Sequence, residues 1–308
     1  MPKPAQRSRK SRSAREILAH HARCIYCPNA ADTVEHMPSK ALFRAKDRPS
    51  GLEFPSCKDC NNRTSAADSL VAFLARIHKH HDDPDGWQVR EGIKYLLAAE
   101  QGARGLVREF FADDNARDTL METPGGVLVP VAEMHAGPIA RALLDVWAAK
   151  LAMALYHEHA GSALPPDGGT YAIWFLNNGL DQPTGDNFLR ILPAHGTLVQ
   201  GRRKSASGQF DYRFNTDERS IVAALTHFHG NIHFFTIAMA DPAAYHFPRD
   251  RLPHGRFMRP GDLLASMPKP PPAILMPAMP LTAASTVSPP PRVRPPSRII
   301  VPPRVAGP

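Results

Sequence analysis

The fold of this chain is decided by two short stretches, CIYC at residues 24–27 and CKDC at residues 57–60. They contain all four cysteines of the protein: Cys24, Cys27, Cys57 and Cys60. Each pair can offer two thiolates from one tight turn, so together they can close a tetrahedral four-thiolate site. Redox proteins share a single C-x-x-C, and free cysteines often pack in a core. Two matched pairs with no cysteine left over favour a structural zinc ion, Zn²⁺.

The length and hydropathy of the chain limit the class of protein. Its 308 residues suffice for one large domain or two ordinary ones with a sizeable core. No apolar run approaches the length that spans a bilayer, and the basic N-terminus lacks the apolar stretch of a secretory signal. We therefore expect a cytoplasmic protein with no membrane partner, in which cysteines indicate metal rather than disulfides. The sequence does not indicate an oligomeric state.

The positive charge is concentrated at the two ends of the chain. The formal net charge is +8 at pH 7. Residues 1–15 hold six basic side chains and no acidic one, and residues 268–308 hold five basic side chains and no acidic one. The remainder of the chain is therefore net acidic. Nucleic-acid binding by such tails would be non-specific and salt-dependent. Basic tails also occur on proteins that bind no nucleic acid, so they are weak support for a DNA partner.

Changes in composition divide the chain into four expected regions. Residues 1–13 are rich in Lys, Arg and Ser and are expected to be disordered. Residues 14–82 contain both cysteine pairs and the helix that follows them. Residues 83–266 are expected to be helical and then β-rich, and they contain no motif that indicates a function. Residues 267–308 are rich in proline, which favours an extended disordered tail.

Hydrophobic periodicity predicts an α+β fold. A strand is expected at residues 33–35, a helix of four or more turns within residues 61–80, and an amphipathic helix over residues 88–112. The longest helical pattern, IARALLDVWAAKLAMALYHEH at residues 139–159, is apolar enough for a core helix. Six short apolar segments then predict a sheet packed on that helix: 171–176, 187–192, 196–201, 210–214, 221–228 and 232–240. The sequence His229-Gly230-Asn231 between the last two predicts a hairpin turn.

The residues between and after the cysteine pairs resemble a known family. Glu35 and His36 follow a β-type Thr-Val and lie close to Pro38, and Asn61 directly follows the last cysteine. This order of C-x-x-C, Glu-His, proline and C-x-x-C-Asn over residues 24–75 is similar to that of the zinc-bearing HNH endonucleases. The resemblance covers about a sixth of the chain.

The resemblance implies a fold and an activity. Residues 14–82 would form a treble-clef zinc module of the ββα-metal nuclease type, which hydrolyses phosphodiester bonds in DNA, or in RNA as well. His36 would be the general base that takes a proton from the attacking water. Glu35 and Asn61 would hold a divalent cation, Mg²⁺ or a similar ion, separate from the zinc because oxygen ligands suit a hard cation.

The chain also departs from the family pattern. Residues 50–54 contain no Asn, whereas family members often have one there that orients the histidine. Asn61 stands where the family frequently has a histidine, and the adjacent Asn62 offers a second amide for the same role. Lys58 and Arg63 are candidates for contact with phosphate, and as residues at a helix start they also fit a solvated surface.

Two alternatives to the nuclease remain open at this point. The first is a non-catalytic zinc-binding module that binds nucleic acid or protein, because a fold does not by itself specify an activity. In the second, residues 83–266 carry the main activity and the zinc module only positions them.

Overall fold

A computed structural model of the protein describes helices packed on antiparallel sheet. The described residues are 13–43, 48–77, 87–112, 116–122, 126, 128–176, 182–196, 208–245 and 255–269. Their helices are α1 (Ala14–His20), α2 (Lys58–Arg63), α3 (Ser65–Leu74), α4 (Trp87–Gly102), α5 (Leu106–Phe110), α6 (Pro138–Ala160), α7 (Gln182–Ile191) and α8 (Leu263–Ser266). Their strands are β1 (Thr33–His36), β2 (Glu53–Ser56), β3 (Ala116–Glu122), β4 (Leu128–Met134), β5 (Gly169–Leu176), β6 (Ala194–Gly196), β7 (Phe210–Thr216), β8 (Ile221–Phe228), β9 (Ile232–Met239) and β10 (Arg256–Met258).

A two-stranded hairpin connects the two cysteine pairs. Strand β1 pairs antiparallel with β2, and Glu35 lies opposite Phe54. The strand predicted at residues 33–35 is thereby confirmed. Strand β2 leads directly into Cys57, which is the N-cap of α2. The hairpin therefore carries Glu35 and His36 on one strand and delivers the second cysteine pair at the end of the other.

The helix predicted after the second pair is interrupted at Thr64. The Thr64 hydroxyl donates to the carbonyl of Cys60 at 2.6 Å, and its backbone leaves the helical region with ψ near 2°. A side-chain bond to the carbonyl four residues earlier competes with the helix ladder and bends it. Helices α2 and α3 therefore replace one continuous helix. The end of the predicted helix, residues 78–80, lies outside the described residues.

The predicted core helix is confirmed as α6, which packs on the large sheet. The sheet has the order β10-β5-β9-β8-β7-β6, and every pairing is antiparallel. Trp147 of α6 is fully buried, and its ring lies 5.2 Å from that of Phe228 and 4.5 Å from that of Phe234. Helix α6 also contacts α3, so the cysteine-bearing residues and the sheet share one hydrophobic core.

The β8–β9 hairpin reaches the N-terminal residues through its turn. The predicted turn is confirmed, with positive φ at His229 and Gly230. Nε2 of His229 donates to the carbonyl of Leu42 at 2.7 Å, and the Asn231 amide donates to the carbonyl of Ala75 at 3.0 Å. Both side chains are buried. The hairpin therefore contacts the segments before and after the second cysteine pair.

Two further predictions of secondary structure were wrong. Residues 187–192, expected as a strand, lie mostly in helix α7, with the Phe188 ring 4.6 Å from that of Phe235. A short apolar run fits helix and strand equally, and packing on the sheet face decides between them here. The helix expected over residues 88–112 is divided into α4 and α5, because Gly105 between them adopts φ of 95°. The β3–β4 hairpin was not predicted.

The predicted regional boundaries meet the described residues only in part. The unit Met1–Pro271 contains all the described residues. The expected boundary between residues 82 and 83 lies outside the described residues, and so do most of both predicted tails. No helix in the described ranges is both long enough and apolar enough to cross a membrane.

Candidate functional site

The four cysteines form one buried cluster that is positioned to hold a metal ion. Their sulfur atoms all lie within 4.8 Å of one another, and Sγ of Cys27 lies 3.6 Å from Sγ of Cys57. Four thiolates around zinc, with bonds of about 2.3 Å, have sulfur atoms about 3.8 Å apart. The cysteines are free thiols rather than disulfides. The cluster predicted from the two C-x-x-C motifs is confirmed, and its geometry is compatible with zinc.

Backbone hydrogen bonds shape both cysteine turns. The amide of Tyr26 donates to Sγ of Cys24 at 3.4 Å, and the amide of Cys60 donates to Sγ of Cys57 at 3.4 Å. The amide of Ile25 donates to the carbonyl of Pro55 at 3.1 Å, which ties the first turn to strand β2. The first two bonds shape each turn, and the third holds the first turn next to the strand that leads into the second pair.

Because the four thiols lie close together, their pKa values differ. A hydrogen bond from Cys60 lowers the pKa of Cys24 to about 5, whereas burial raises the pKa of Cys27 to about 12. Four adjacent thiols cannot all ionise without a compensating positive charge. A divalent metal ion supplies that charge, so metal binding and thiol ionisation are coupled here.

The three side chains that the family resemblance singled out line one pocket beside the cluster. The pocket has a volume of about 360 Å³ and is lined by Glu35 and His36 of β1 and by Asn61 of α2. Lys40 and Asp68 also face it. The cysteines do not line this pocket, so the cluster and the pocket are separate sites.

Glu35 is a buried carboxylate with one engaged and one free oxygen. Its side chain is 3% exposed, and Oε1 accepts a bond from Lys150 at 3.4 Å. Oε2 is buried and has no hydrogen-bond partner among the described residues. Burial raises the pKa of Glu35 to about 7, against the opposing effect of the Lys150 charge. An unpartnered buried oxygen of this kind fits a cation ligand.

His36 is half-buried and neutral at pH 7. Burial lowers its pKa to about 4, and the positive charges of Arg48 and Lys40 add to the effect. The buried Arg48 guanidinium donates to the carbonyls of Pro38 and Gly51, at 2.7 and 2.6 Å. It thereby holds together the two chain segments that follow β1 and precede β2, next to the histidine.

Asn61 is anchored to the first strand. Its Nδ2 donates to the Thr33 hydroxyl at 3.4 Å, which leaves the amide oxygen as the acceptor of the side chain. Asn62 lines the same pocket, so both amides predicted as candidates are at the site. Lys58 lies beside Asp32 at 3.9 Å, and both it and Arg63 are exposed.

Two charged residues at the site were not predicted from the sequence: Asp68, which lines the pocket, and Lys150, which contacts both Glu35 and Asp68. Lys150 of α6 is fully buried and lies 3.4 Å from Glu35 and 3.1 Å from Asp68. Oδ1 of Asp68 accepts from the indole of Trp147 at 3.0 Å. A signal for both was present, because each is a charged residue within an apolar helical pattern, and such residues are buried only when paired. The sequence does not show which residues pair.

Comparisons with known proteins leave the family open. No protein family, curated protein or solved structure matches the chain.

Proposed function

We propose that this protein is a metal-dependent endonuclease that hydrolyses phosphodiester bonds in DNA. One observation carries the proposal: Glu35, His36 and Asn61 line a single pocket, and Oε2 of Glu35 is buried without a hydrogen-bond partner among the described residues. Glu35 and His36 are adjacent on β1, and Asn61 reaches the same pocket from α2. A common task in metal binding and proton transfer accounts for an acid, a base and an amide around one pocket.

The cysteine cluster serves this proposal as a structural zinc site of the treble-clef type. Support comes from the order of elements: a cysteine turn, the β1–β2 hairpin, and a second pair at the start of α2. The N–H bonds to Sγ of Cys24 and Cys57 are those of tight metal-binding turns. Zinc in this role holds the hairpin and α2 together and takes no part in chemistry.

The pocket residues fit a second, hard cation. The carboxylate of Glu35 and the amide oxygen of Asn61 are oxygen ligands of the kind that Mg²⁺ and Mn²⁺ prefer. A cation bound there would neutralise charge that develops on the phosphate and on the leaving oxygen. Glu35 and Asn61 come from β1 and α2, whose relative position the zinc site sets.

His36 would be the general base that takes a proton from the attacking water. A neutral imidazole can accept a proton, and the lowered pKa of His36 keeps it neutral throughout the physiological range. The same low pKa makes it a weak base in the free protein. A bound phosphodiester brings negative charge next to Lys40 and His36, which offsets the positive charges that lower the pKa and strengthens the base.

A non-catalytic zinc module that binds nucleic acid or protein is the second candidate. The contact between Lys150 and Glu35 favours it, because that ammonium already balances a buried carboxylate without a cation. In this case the pocket would be a polar recess rather than an active site.

Plasmid cleavage distinguishes the two candidates. We expect zinc-loaded protein to nick or linearise supercoiled DNA with Mg²⁺ or Mn²⁺, and His36→Ala to reduce the rate by about 100-fold or more. His195→Ala, at an exposed position on β6, is the matched control and should cleave like the wild type. Equal cleavage by wild type and His36→Ala, with both folded and zinc-loaded, would falsify the proposal that His36 makes this protein a nuclease.

A further inference from the structure

Helix α6, which lies outside residues 14–82, brings a buried lysine into contact with two residues that line the pocket. Lys150 has no exposed side-chain surface, and its ammonium contacts Oε1 of Glu35 and Oδ2 of Asp68 at 3.4 and 3.1 Å. A buried ammonium is stable only when paired and hydrogen-bonded. The two carboxylates are therefore the partners that allow Lys150 to lie in the core, and it in turn restricts them.

Asp68 anchors Lys150 rather than offering a ligand to the pocket. Its Oδ1 accepts from Nε1 of Trp147 at 3.0 Å, and its Oδ2 accepts from Lys150. Trp147 and Lys150 are three residues apart on α6 and therefore lie on one face of the helix. Both oxygens of Asp68 are thus engaged by donors from α6. The ammonium of Lys150 is held in place independently of Glu35.

Glu35 depends on Lys150 for its position. Across the described parts of the chain, Lys150 is the hydrogen-bond donor to its carboxylate, while Oε2 has no partner. Anchoring one oxygen of a carboxylate limits its rotation, so the position of the second oxygen follows from the first. The position of Oε2 is thereby determined by a residue of α6.

We propose that Lys150 is a positioning residue of the cation site: it holds Oε1 of Glu35 so that Oε2 is presented to a divalent cation in the pocket. The inference rests on the proposed function, because it concerns the same cation. It makes the site incomplete without α6, although every residue expected to touch the cation lies within residues 14–82. The residues after 82 would then contribute to the nuclease site rather than form a domain that takes no part in it.

A competing role for Lys150 leads to the opposite result. An ammonium next to a cation site also repels the cation, so a lysine that serves only as a counter-charge would weaken metal binding. Its removal would then tighten the binding of a divalent cation. A lysine that positions Glu35 does the reverse, because its removal leaves the carboxylate without an anchor.

The test measures Mn²⁺ binding to the zinc-loaded, full-length protein by the electron paramagnetic resonance of free Mn²⁺. The variants are Lys150→Met, Glu35→Gln and the double variant. We expect Lys150→Met to raise the Kd for Mn²⁺ about tenfold in the wild-type background and less than twofold in the Glu35→Gln background. A lysine that acts only through Glu35 gives this non-additivity, whereas a purely structural lysine gives equal effects in both backgrounds.

Cleavage kinetics provide a second readout. We expect Lys150→Met to lower kcat and to leave KM for DNA unchanged, because the buried lysine cannot touch DNA. If Lys150→Met does not fold, Asp68→Asn takes its place, since it loosens the lysine while it keeps the side-chain shape. A threefold or larger rise in the Mn²⁺ Kd is expected for Asp68→Asn.

The outcomes separate this inference from the proposed function. Wild-type Mn²⁺ affinity in both Lys150→Met and Asp68→Asn, or tighter binding in Lys150→Met, overturns the positioning role while wild-type cleavage upholds the nuclease. A wild-type protein that neither binds Mn²⁺ beside its zinc nor cleaves DNA overturns both.

Discussion

The cysteine cluster and the adjoining pocket share the same short stretch of chain, yet they depend on different parts of the protein. All ligands of the cluster come from two turns, at residues 24–27 and 57–60. The pocket draws Glu35, His36 and Asn61 from the same stretch, but the charge state and position of Glu35 depend on Lys150 of α6. The cluster is formed within one short stretch of chain, whereas the pocket also depends on helix α6.

The difference follows from how each site satisfies its charges. Four thiolates that share one metal ion would need no other part of the protein to balance their charge. A buried carboxylate without a bound cation must find a positive group within the fold. In the pocket this positive group is Lys150 of the core helix α6. The pocket is also linked to the large sheet through Trp147, which donates a hydrogen bond to Asp68 and packs against Phe234.

Breaking the cluster should have the largest effect. Structural zinc contributes on the order of 10 kcal/mol of binding free energy to folding, so Cys60→Ser should lose stoichiometric zinc and the cooperative unfolding of the hairpin and α2. Zinc content by mass spectrometry and thermal unfolding by circular dichroism measure this. Arg63→Ala, on the exposed side of the same helix, should stay within about 0.5 kcal/mol of the wild type. Retention of zinc and of the wild-type midpoint by Cys60→Ser would contradict a metal cluster.

Breaking the link between the pocket and α6 should have the next largest effect. Lys150→Met leaves Glu35 and Asp68 buried without a counter-charge, and removal of one partner of such a pair lowers the free energy of unfolding by about 3–5 kcal/mol. Chemical denaturation measures the loss. The variant should keep its zinc, in contrast to Cys60→Ser.

A compensated variant sharpens this result. Combining Lys150→Met with Glu35→Gln and Asp68→Asn removes all three charges and should recover most of the lost stability, because no buried charge is left unpaired. Lys150→Met with wild-type stability would mean that the three charged groups do not meet in solution. A compensated variant no more stable than Lys150→Met would assign the loss to packing instead.

Changes to the two amides should have the smallest effect. Asn61→Ala removes the amide that Thr33 holds beside Glu35, and we expect the rate of Mg²⁺-dependent cleavage to fall about tenfold, or about 1.4 kcal/mol. Asn62→Ala should change the rate less than threefold. Single-turnover cleavage of a labelled duplex measures both. A larger loss in Asn62→Ala than in Asn61→Ala would reassign the ligand role to Asn62.

Local sequence predicted the elements whose determinants are local. The strand at residues 33–35 and the core helix α6 follow from hydrophobic period, and the β8–β9 turn follows from the sequence His-Gly-Asn. Residues 187–192 were predicted wrongly because a six-residue apolar run carries no period long enough to distinguish helix from strand. The break at Thr64 depends on a single side-chain bond to Cys60, which no periodicity reveals.

What the sequence by itself determined is the cysteine cluster and the meeting of Glu35, His36 and Asn61, because two tight turns and one hairpin suffice to assemble them. Only the tertiary structure decided that Lys150 contacts both Glu35 and Asp68, and that Oε2 of Glu35 has no hydrogen-bond partner within the described ranges. The physical reason is how far apart in the chain the interacting residues lie. Metal ligands are paired by spacing along the chain, whereas buried charges are paired by packing between helices that the spacing does not record.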